Sequence, residues 1–346
     1  MRMHELSSPP TPWLAFALIL LCQCTQDSAG DGPSGSGGSA AGQMGGDGDG
    51  DLGGAGDGDG DGSGDGDGDG GDGDGDGGDG DGGHGDGGDG DGDGDGMSGQ
   101  PCDAGNLIAE AEAVGGADKK VVVWGLTIRA TDGVPDAKLL HAAHVMAQYL
   151  DNDEDCVADD PAVLAEMPST ALKMGATEQE TEGLNINAQP LWAAEVVLPA
   201  QGNNEFDATL EEVLHVVTSH GWARAYPSAF GEQAGSTLAD AMDLARGGYF
   251  ESVPGGGPNY GYPAGSWYHY DDVTCDYECM STEYIYWAIT SLLGGQAGRC
   301  NDIDNEWEPC TAALVQSMDP AVYSLLRESG YATPQQLPDG SYTPRM

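Results

Sequence analysis

Residues 206–222, from Phe206 to Trp222, read FDATLEEVLHVVTSHGW. Leu210, Val213, Leu214 and Val217 fall at i, i+3, i+4 and i+7, the spacing of a buried stripe on one helix. Glu211 and His215 stand four apart, so one helical face carries both side chains a turn from each other. Glu212 is adjacent to that pair. Two metal-ligating types at i and i+4 with a carboxylate between them have the spacing of a helix-borne metal centre. A plainer reading exists for Glu212. Asp207 or Thr209 can cap this helix, and Thr209 with Glu212 forms a capping-box pattern, where an acid in the first turn is favoured by the helix dipole. The helix is expected to end near His220-Gly221.

Around this stretch, composition divides the chain of 346 residues into three parts. Residues 1–24 read as a secretory signal, with Arg2 in the leading segment and an apolar run from Trp13 to Leu21, too short to span a bilayer. Cys22 and Cys24 follow that run, and either could be the acylated cysteine of a surface lipoprotein. The residues before them, Leu21 and Gln23, are larger than such a site normally has, so lipid tethering and plain secretion both stand. Residues 25–100 are mostly Gly, Asp and Ser, with too few apolar residues to build a core, and are expected to be a disordered spacer. About 70 flexible residues span roughly 45–50 Å. A calcium-binding β-roll would need an apolar residue in each repeat, and this tract has none.

Residues 101–346 are expected to form one globular domain. They hold 37 acidic and 10 basic side chains, a net charge of −27. Such a surface repels phosphate backbones, which excludes nucleic acid as a natural partner. It suits an extracellular, salty or calcium-containing medium. Six cysteines lie here, and an even number behind a secretory signal implies disulfides. Local closure favours Cys275–Cys279 and Cys300–Cys310, which leaves Cys102 with Cys156. The chain has no GxSxG motif and every cysteine has a disulfide partner in this scheme, so serine or cysteine nucleophiles are not expected.

In chain order, the pattern predicts a short helix over 106–114 and a β-branched strand over 120–128. A turn at Asp132-Gly133 follows, then a helix over 136–150 and another over 161–166. Residues 169–182 are ambiguous. A second strand is expected over 191–198. After the central helix come helices over 236–246, over 282–293 capped by Ser281, and over 312–328 with a break at Pro320. The order is α+β with segregated helices. His141 and His144 are spaced as a metal pair at i, i+3, or as ordinary histidines flanking a core stripe.

The acidic stretch 151–159 carries a second metal pattern. Asp151, Asp153, Asp155, the carbonyl of Val157 and Asp159 occupy the alternating ligand positions of a calcium loop and resemble EF-hand-like and dockerin-like loops. Cys156 stands where such a loop has Gly, and Ala162 where it has its closing Glu.

The central stretch resembles the zincin metallopeptidases, with EEVLH in the place of HExxH. The resemblance covers one short motif and the element order over residues 120–294. It implies a zincin-like fold, a small twisted sheet followed by a metal-site helix and a mainly helical C-terminal half. It implies zinc held by Glu211, His215 and, as in the gluzincin branch, a glutamate on a later helix, for which Glu283 is the candidate. Glu212 would be the general base, and His220, Tyr268, His269 or Tyr270 would hydrogen-bond the oxyanion. Glu211 replaces an imidazole with an anionic oxygen, which lowers Lewis acidity and favours harder ions such as Mn²⁺ or Ca²⁺. The function implied is a secreted or surface-tethered metal-dependent peptidase acting on peptide or protein substrates. The rival is a non-catalytic extracellular binding or adhesion module with structural metal. A di-iron bundle would need a second Glu-x-x-His, and the chain has none.

Overall fold

The computed structural model describes residues 107–199, 206–255, 258–327 and 330–345. The expected signal, the Gly/Asp spacer and Cys102 lie outside them. β-branched residues and two tight turns build the first half of the sheet. Strands β1 (Leu107–Val114), β2 (Ala117–Val123) and β3 (Leu126–Ala130) form an antiparallel meander. Strands β4 (Thr170–Gly175) and β5 (Gln189–Trp192) then add in parallel, giving a five-stranded mixed sheet in sequence order. Helices α1 (Asp136–Leu150) and α2 (Pro161–Glu166) cross between β3 and β4, and α3 (Glu178–Glu182) between β4 and β5. The architecture is α+β.

Helix α4 (Thr209–His215) runs into a π-helix, Val216–Trp222, and a last turn, α5 (Ala223–Ala225). Helices α6 (Pro227–Phe230), α7 (Thr237–Arg246), α8 (Tyr277–Leu292), α9 (Ala312–Met318) and α10 (Pro320–Arg327) make up the C-terminal half. Helix α4 is wedged between α1, β5 and α8, and the Tyr149 hydroxyl of α1 donates to the Leu210 carbonyl at 2.9 Å. Val213, Leu214 and Val217 are buried as the periodicity predicts. Trp222 and Trp307 are among the largest side chains with almost no exposure, so aromatic packing fills the helical half. Among the described residues, no helix is long and apolar enough to cross a membrane.

Several expectations are corrected. Residues 107–114 form a strand, where a helix was expected from their Ala and Glu. Alternation of residue type along EAEAV matches the two-residue period of a strand, and pairing with β2 overrides helix propensity. The run 120–128 is a hairpin with a two-residue turn, because Trp124 and Gly125 both take positive φ, 50° and 81°. That is the backbone of a type I′ turn, and a bulky aromatic is an uncommon residue for its first position. The ambiguous stretch resolves into β4 and α3. The strand expected over 191–198 starts at Gln189 and stops at Trp192, where the Glu195 carboxylate accepts from the Trp192 N–H and closes a turn. Pro190 is accommodated because β5 is an edge strand.

Disulfides join Cys275 to Cys279 and Cys300 to Cys310, as local closure favours. The remaining expected pair, Cys102–Cys156, has one member outside the described residues.

Candidate metal centre

Helix α4 presents Glu211 and His215 one turn apart, and both are held in the interior, 9 % and 2 % exposed. Helix α8 brings Glu283, 1 % exposed, against them. Ligand atoms of Glu211, His215 and Glu283 all lie within 4.8 Å of one another. This is the constellation expected from EEVLH plus a later glutamate. The helix that carries Glu283 starts earlier than a Ser281 cap implies. Helix α8 starts at Tyr277, with the Asp276 carboxylate accepting from the Cys279 N–H, and Ser281 is an interior residue. Glu283 therefore sits in the second turn, where the dipole does not reward a buried acid.

Glu212 does lie in the first turn of α4, where the dipole favours an acid, but no capping box forms. Ala208 occupies the N-cap position without a side-chain hydrogen bond, and the Thr209 hydroxyl has no hydrogen-bond partner. The Asp207 carboxylate instead accepts from the Thr209 and Val197 N–H groups. Glu212, 1 % exposed, takes a 2.7 Å hydrogen bond on Oε2 from the Gln189 amide of strand β5.

The imidazole of His215 is informative. Both ring nitrogens are buried and neither has a hydrogen-bond partner, and Glu283 Oε1 is likewise unpartnered. Nδ1 stands 3.8 Å from Glu212 Oε2, and Nε2 stands 3.6 Å from Glu283 Oε2, both too long for hydrogen bonds. Two ligands each about 2.1 Å from one tetrahedral ion lie about 3.4 Å apart, close to the His215–Glu283 spacing. Buried polar groups left unmatched in this way cost free energy unless something occupies the space between them. The charge balance points the same way. Burial, then the Glu283 charge, push the Glu211 carboxyl well above its ordinary range. Burial acts to lower the His215 pKa, but Glu283 and Glu212 outweigh it and raise it. Without a cation the site gathers protons. The donor set of two carboxylates and one imidazole fits a divalent ion.

Neighbours hold the ligands. Burial, then the Glu211 charge, raise the Tyr286 phenol pKa, and its ring packs edge-on against His215 at 5.8 Å. Such partners orient a ligand and set its basicity. The Glu232 carboxylate accepts from Ser219, in the π-helix, at 2.6 Å and from Thr282, beside Glu283, at 2.5 Å. It thereby ties together the two ligand-bearing segments. Tyr286 was discoverable, since it lies three residues after Glu283 and shares its helical face. Gln189 and Glu232 come from separate elements and carry no spacing signal.

The expected oxyanion donors separate. Tyr270 is buried, and burial followed by the charge of Glu283 raises its pKa. The Tyr268 hydroxyl is committed to the Met280 carbonyl at 2.7 Å. His269 packs its ring near Tyr262 at 5.7 Å. His220 lines the cleft that His215 opens into. His141 is not half of a metal pair: its Nε2 bonds Asp207 Oδ2 at 2.6 Å and ties α1 to the start of α4.

In the acidic loop, Asp151, Asp153 and Asp155 converge, also within 4.8 Å. Asp159 is not in that group; its Oδ2 accepts from the Asn152 N–H, and the Val157 N–H donates to Asp155 Oδ1. Cys156 takes the left-handed conformation, φ 74°, at the position where an EF-hand loop has Gly.

No protein-family model, curated protein or solved structure matches this chain.

Proposed function

We propose that the chain is a metal-dependent hydrolase, a secreted or surface-tethered peptidase of zincin-like fold. The observation that carries this reading is the buried convergence of Glu211, His215 and Glu283 around an imidazole with two unpartnered nitrogens. The mixed sheet followed by a ligand-bearing helix, with the third ligand on a later helix, is the arrangement that the EExxH resemblance implies.

Glu211, His215 and Glu283 would hold the ion, zinc being the expected one. A divalent ion bound there supplies Lewis acidity, polarising a scissile carbonyl and making a water acidic near neutral pH. The protein's own groups do the rest. The Gln189 amide fixes Glu212 Oε2 and leaves Oε1 to accept a proton from the attacking water. Glu212 then returns that proton to the departing amine. The Tyr270 phenol, whose pKa burial and then the Glu283 charge raise, is the candidate donor to the developing oxyanion.

A second reading is favoured by one residue. Glu211 makes the site more anionic than one with two imidazoles, which weakens the ion as a Lewis acid. A binding or adhesion module with structural metal would need no such acidity.

Metal analysis of the purified full chain and a chelator-sensitive peptide-hydrolysis assay decide between the two. The peptidase reading expects one tightly held ion at this centre, turnover that stops on chelation, and a loss of about 10³-fold or more in Glu212→Gln with the ion retained. Stoichiometric metal with turnover no different in Glu212→Gln would leave the binding module.

A further inference from the structure

Helix α1 joins two segments remote from it in sequence. His141, Gln148 and Tyr149 fall at i, i+7 and i+8, so one stripe of the helix carries all three, and all three are buried. Gln148 takes the C-terminal tail. Its Oε1 accepts the N–H groups of Asp339 and Gly340 at 3.0 and 2.9 Å, and its amide donates to Asp339 Oδ1 at 2.9 Å. This places Gly340 against the His141 ring. A Cβ on Gly340 would stand 2.1 Å from both Cε1 and Nδ1 of that ring, and its φ is 73°, so glycine alone fits.

His141 and Tyr149 take the start of α4. His141 Nε2 pairs with Asp207 Oδ2 at 2.6 Å. Asp207 Oδ1 accepts from the Val197 N–H at 3.0 Å and the Thr209 N–H at 3.2 Å. The Tyr149 hydroxyl donates to the Leu210 carbonyl. Glu211 is the next residue, and His215 follows one turn later. The Asp207 carboxylate therefore fixes the first turn of the ligand-bearing helix, and the His141 imidazole orients that carboxylate. With Gly340 against it the ring is only 5 % exposed, and a hydrogen bond shielded in this way is stronger than one for which water competes.

We propose that tail residues 335–342 are a strap that sets the metal centre from a distance, with His141 as the positioning residue through which it acts. Gly340 holds the imidazole, the imidazole holds Asp207, and Asp207 holds the turn that presents Glu211 and His215 to Glu283. Ligands have to be kept within about 0.5 Å of their working positions, so a small shift at Asp207 reaches the ion. This rests on the reading of Glu211, His215 and Glu283 as a metal centre and names what positions it.

The test titrates the full chain with cobalt(II), whose visible absorption reports ligand geometry, well below the thermal transition. The ion at issue is the one lost in His215→Ala. His141→Phe keeps a ring under Gly340 and removes the pair with Asp207. Gly340→Ala drives a methyl group into the ring. Each should weaken cobalt affinity about tenfold or more and shift the spectrum, with far-UV circular dichroism unchanged. His141→Gln, whose amide can still donate to Asp207, should recover most of the affinity. The double variant His141→Phe, Gly340→Ala should lose no more than the weaker-binding single variant, because both act through one pair. Should Gly340→Ala fail to fold, Gln148→Ala takes its place, withdrawing the acceptor of two tail N–H groups without adding a clash. Unchanged affinity and spectrum in folded His141→Phe overturn the proposal. So does a loss in His141→Phe that neither tail variant shares, or additive losses in the double variant. Failure of the metal-centre reading looks different: the unaltered chain then holds no cobalt that His215→Ala removes, and the strap's role falls with it.

Discussion

The Tyr286 hydroxyl accepts from the Gln296 amide at 3.2 Å and lies near Glu211, a candidate metal ligand, whose charge adds to burial in raising the phenol pKa. Tyr286→Phe should therefore weaken metal affinity about 10- to 100-fold, as loss of a ligand's supporting partner does. Competition with a chromogenic chelator reads this, and unchanged affinity would remove Glu211 from the ligand set. Glu195 offers a separate test of burial. Burial, then the Glu212 charge, push its carboxyl up to about 8, against 4.5 for an ordinary glutamate. Between those values the folded chain keeps a proton that the unfolded chain has released. The associated stability is complete below about pH 4.5 and is lost as the pH rises to about 8. Thermal melts across this window should show Tm falling with pH, and Glu195→Gln should flatten part of the slope. An identical slope in the variant would place the loss elsewhere.

The π-helix is the element that most departs from expectation. A straight α-helix was expected to end near Gly221. Instead the coil widens directly after His215, and the Thr218 hydroxyl bonds back to the Leu214 carbonyl at 3.0 Å. Such insertions are frequent at functional sites. Here the widened turn carries Ser219 to Glu232 and His220 to the cleft wall. It also brings Gly221 against α2, where a Cβ would lie 2.6 Å from Val163 Cγ1. Valine is stiff at χ1 and cannot easily yield. Gly221→Ala should cost about 1–3 kcal/mol in urea unfolding, with Val163→Ala restoring part of it in a double-mutant cycle. Full additivity of the two substitutions would show that no such contact limits the packing.

Over the whole molecule, the C-terminal tail closes onto the acidic loop. Asn152 Oδ1 accepts the N–H groups of Gln335 and Gln336, Gln148 Oε1 accepts those of Asp339 and Gly340, and the Tyr342 hydroxyl donates to Asp151 at 2.5 Å. Asn152→Ala should destabilise the chain by about 0.5–1.5 kcal/mol, because it removes two tail hydrogen bonds that are exposed and that water partly replaces. The same loop has an all-oxygen donor set suited to calcium. Millimolar CaCl₂ should raise Tm, and the rise should disappear in the Asp153→Asn, Asp155→Asn double variant. No rise in the unaltered chain would leave the loop as a seat for the tail alone.

Sequence alone determined the α+β class, the buried stripe of α4, the two local disulfides, and the candidacy of Glu211, His215 and Glu283. Each follows from periodicity or short-range spacing, which are properties of neighbouring residues. Helix α1 and the start of α7 behind its Ser236 cap were legible for the same reason. The hairpin at Trp124-Gly125 was not, because its first turn residue is an unusual type, and β1 was not, because pairing overrode propensity. Only the tertiary structure decided that Glu283 reaches His215, that Gln189 engages Glu212, and that Glu232 bridges two ligand-bearing segments. Those contacts join residues 23 to 68 positions apart or carried on different elements. No local pattern encodes them. They arise when the sheet and α1 fix the axis of α4 and the aromatic core fixes α8 beside it.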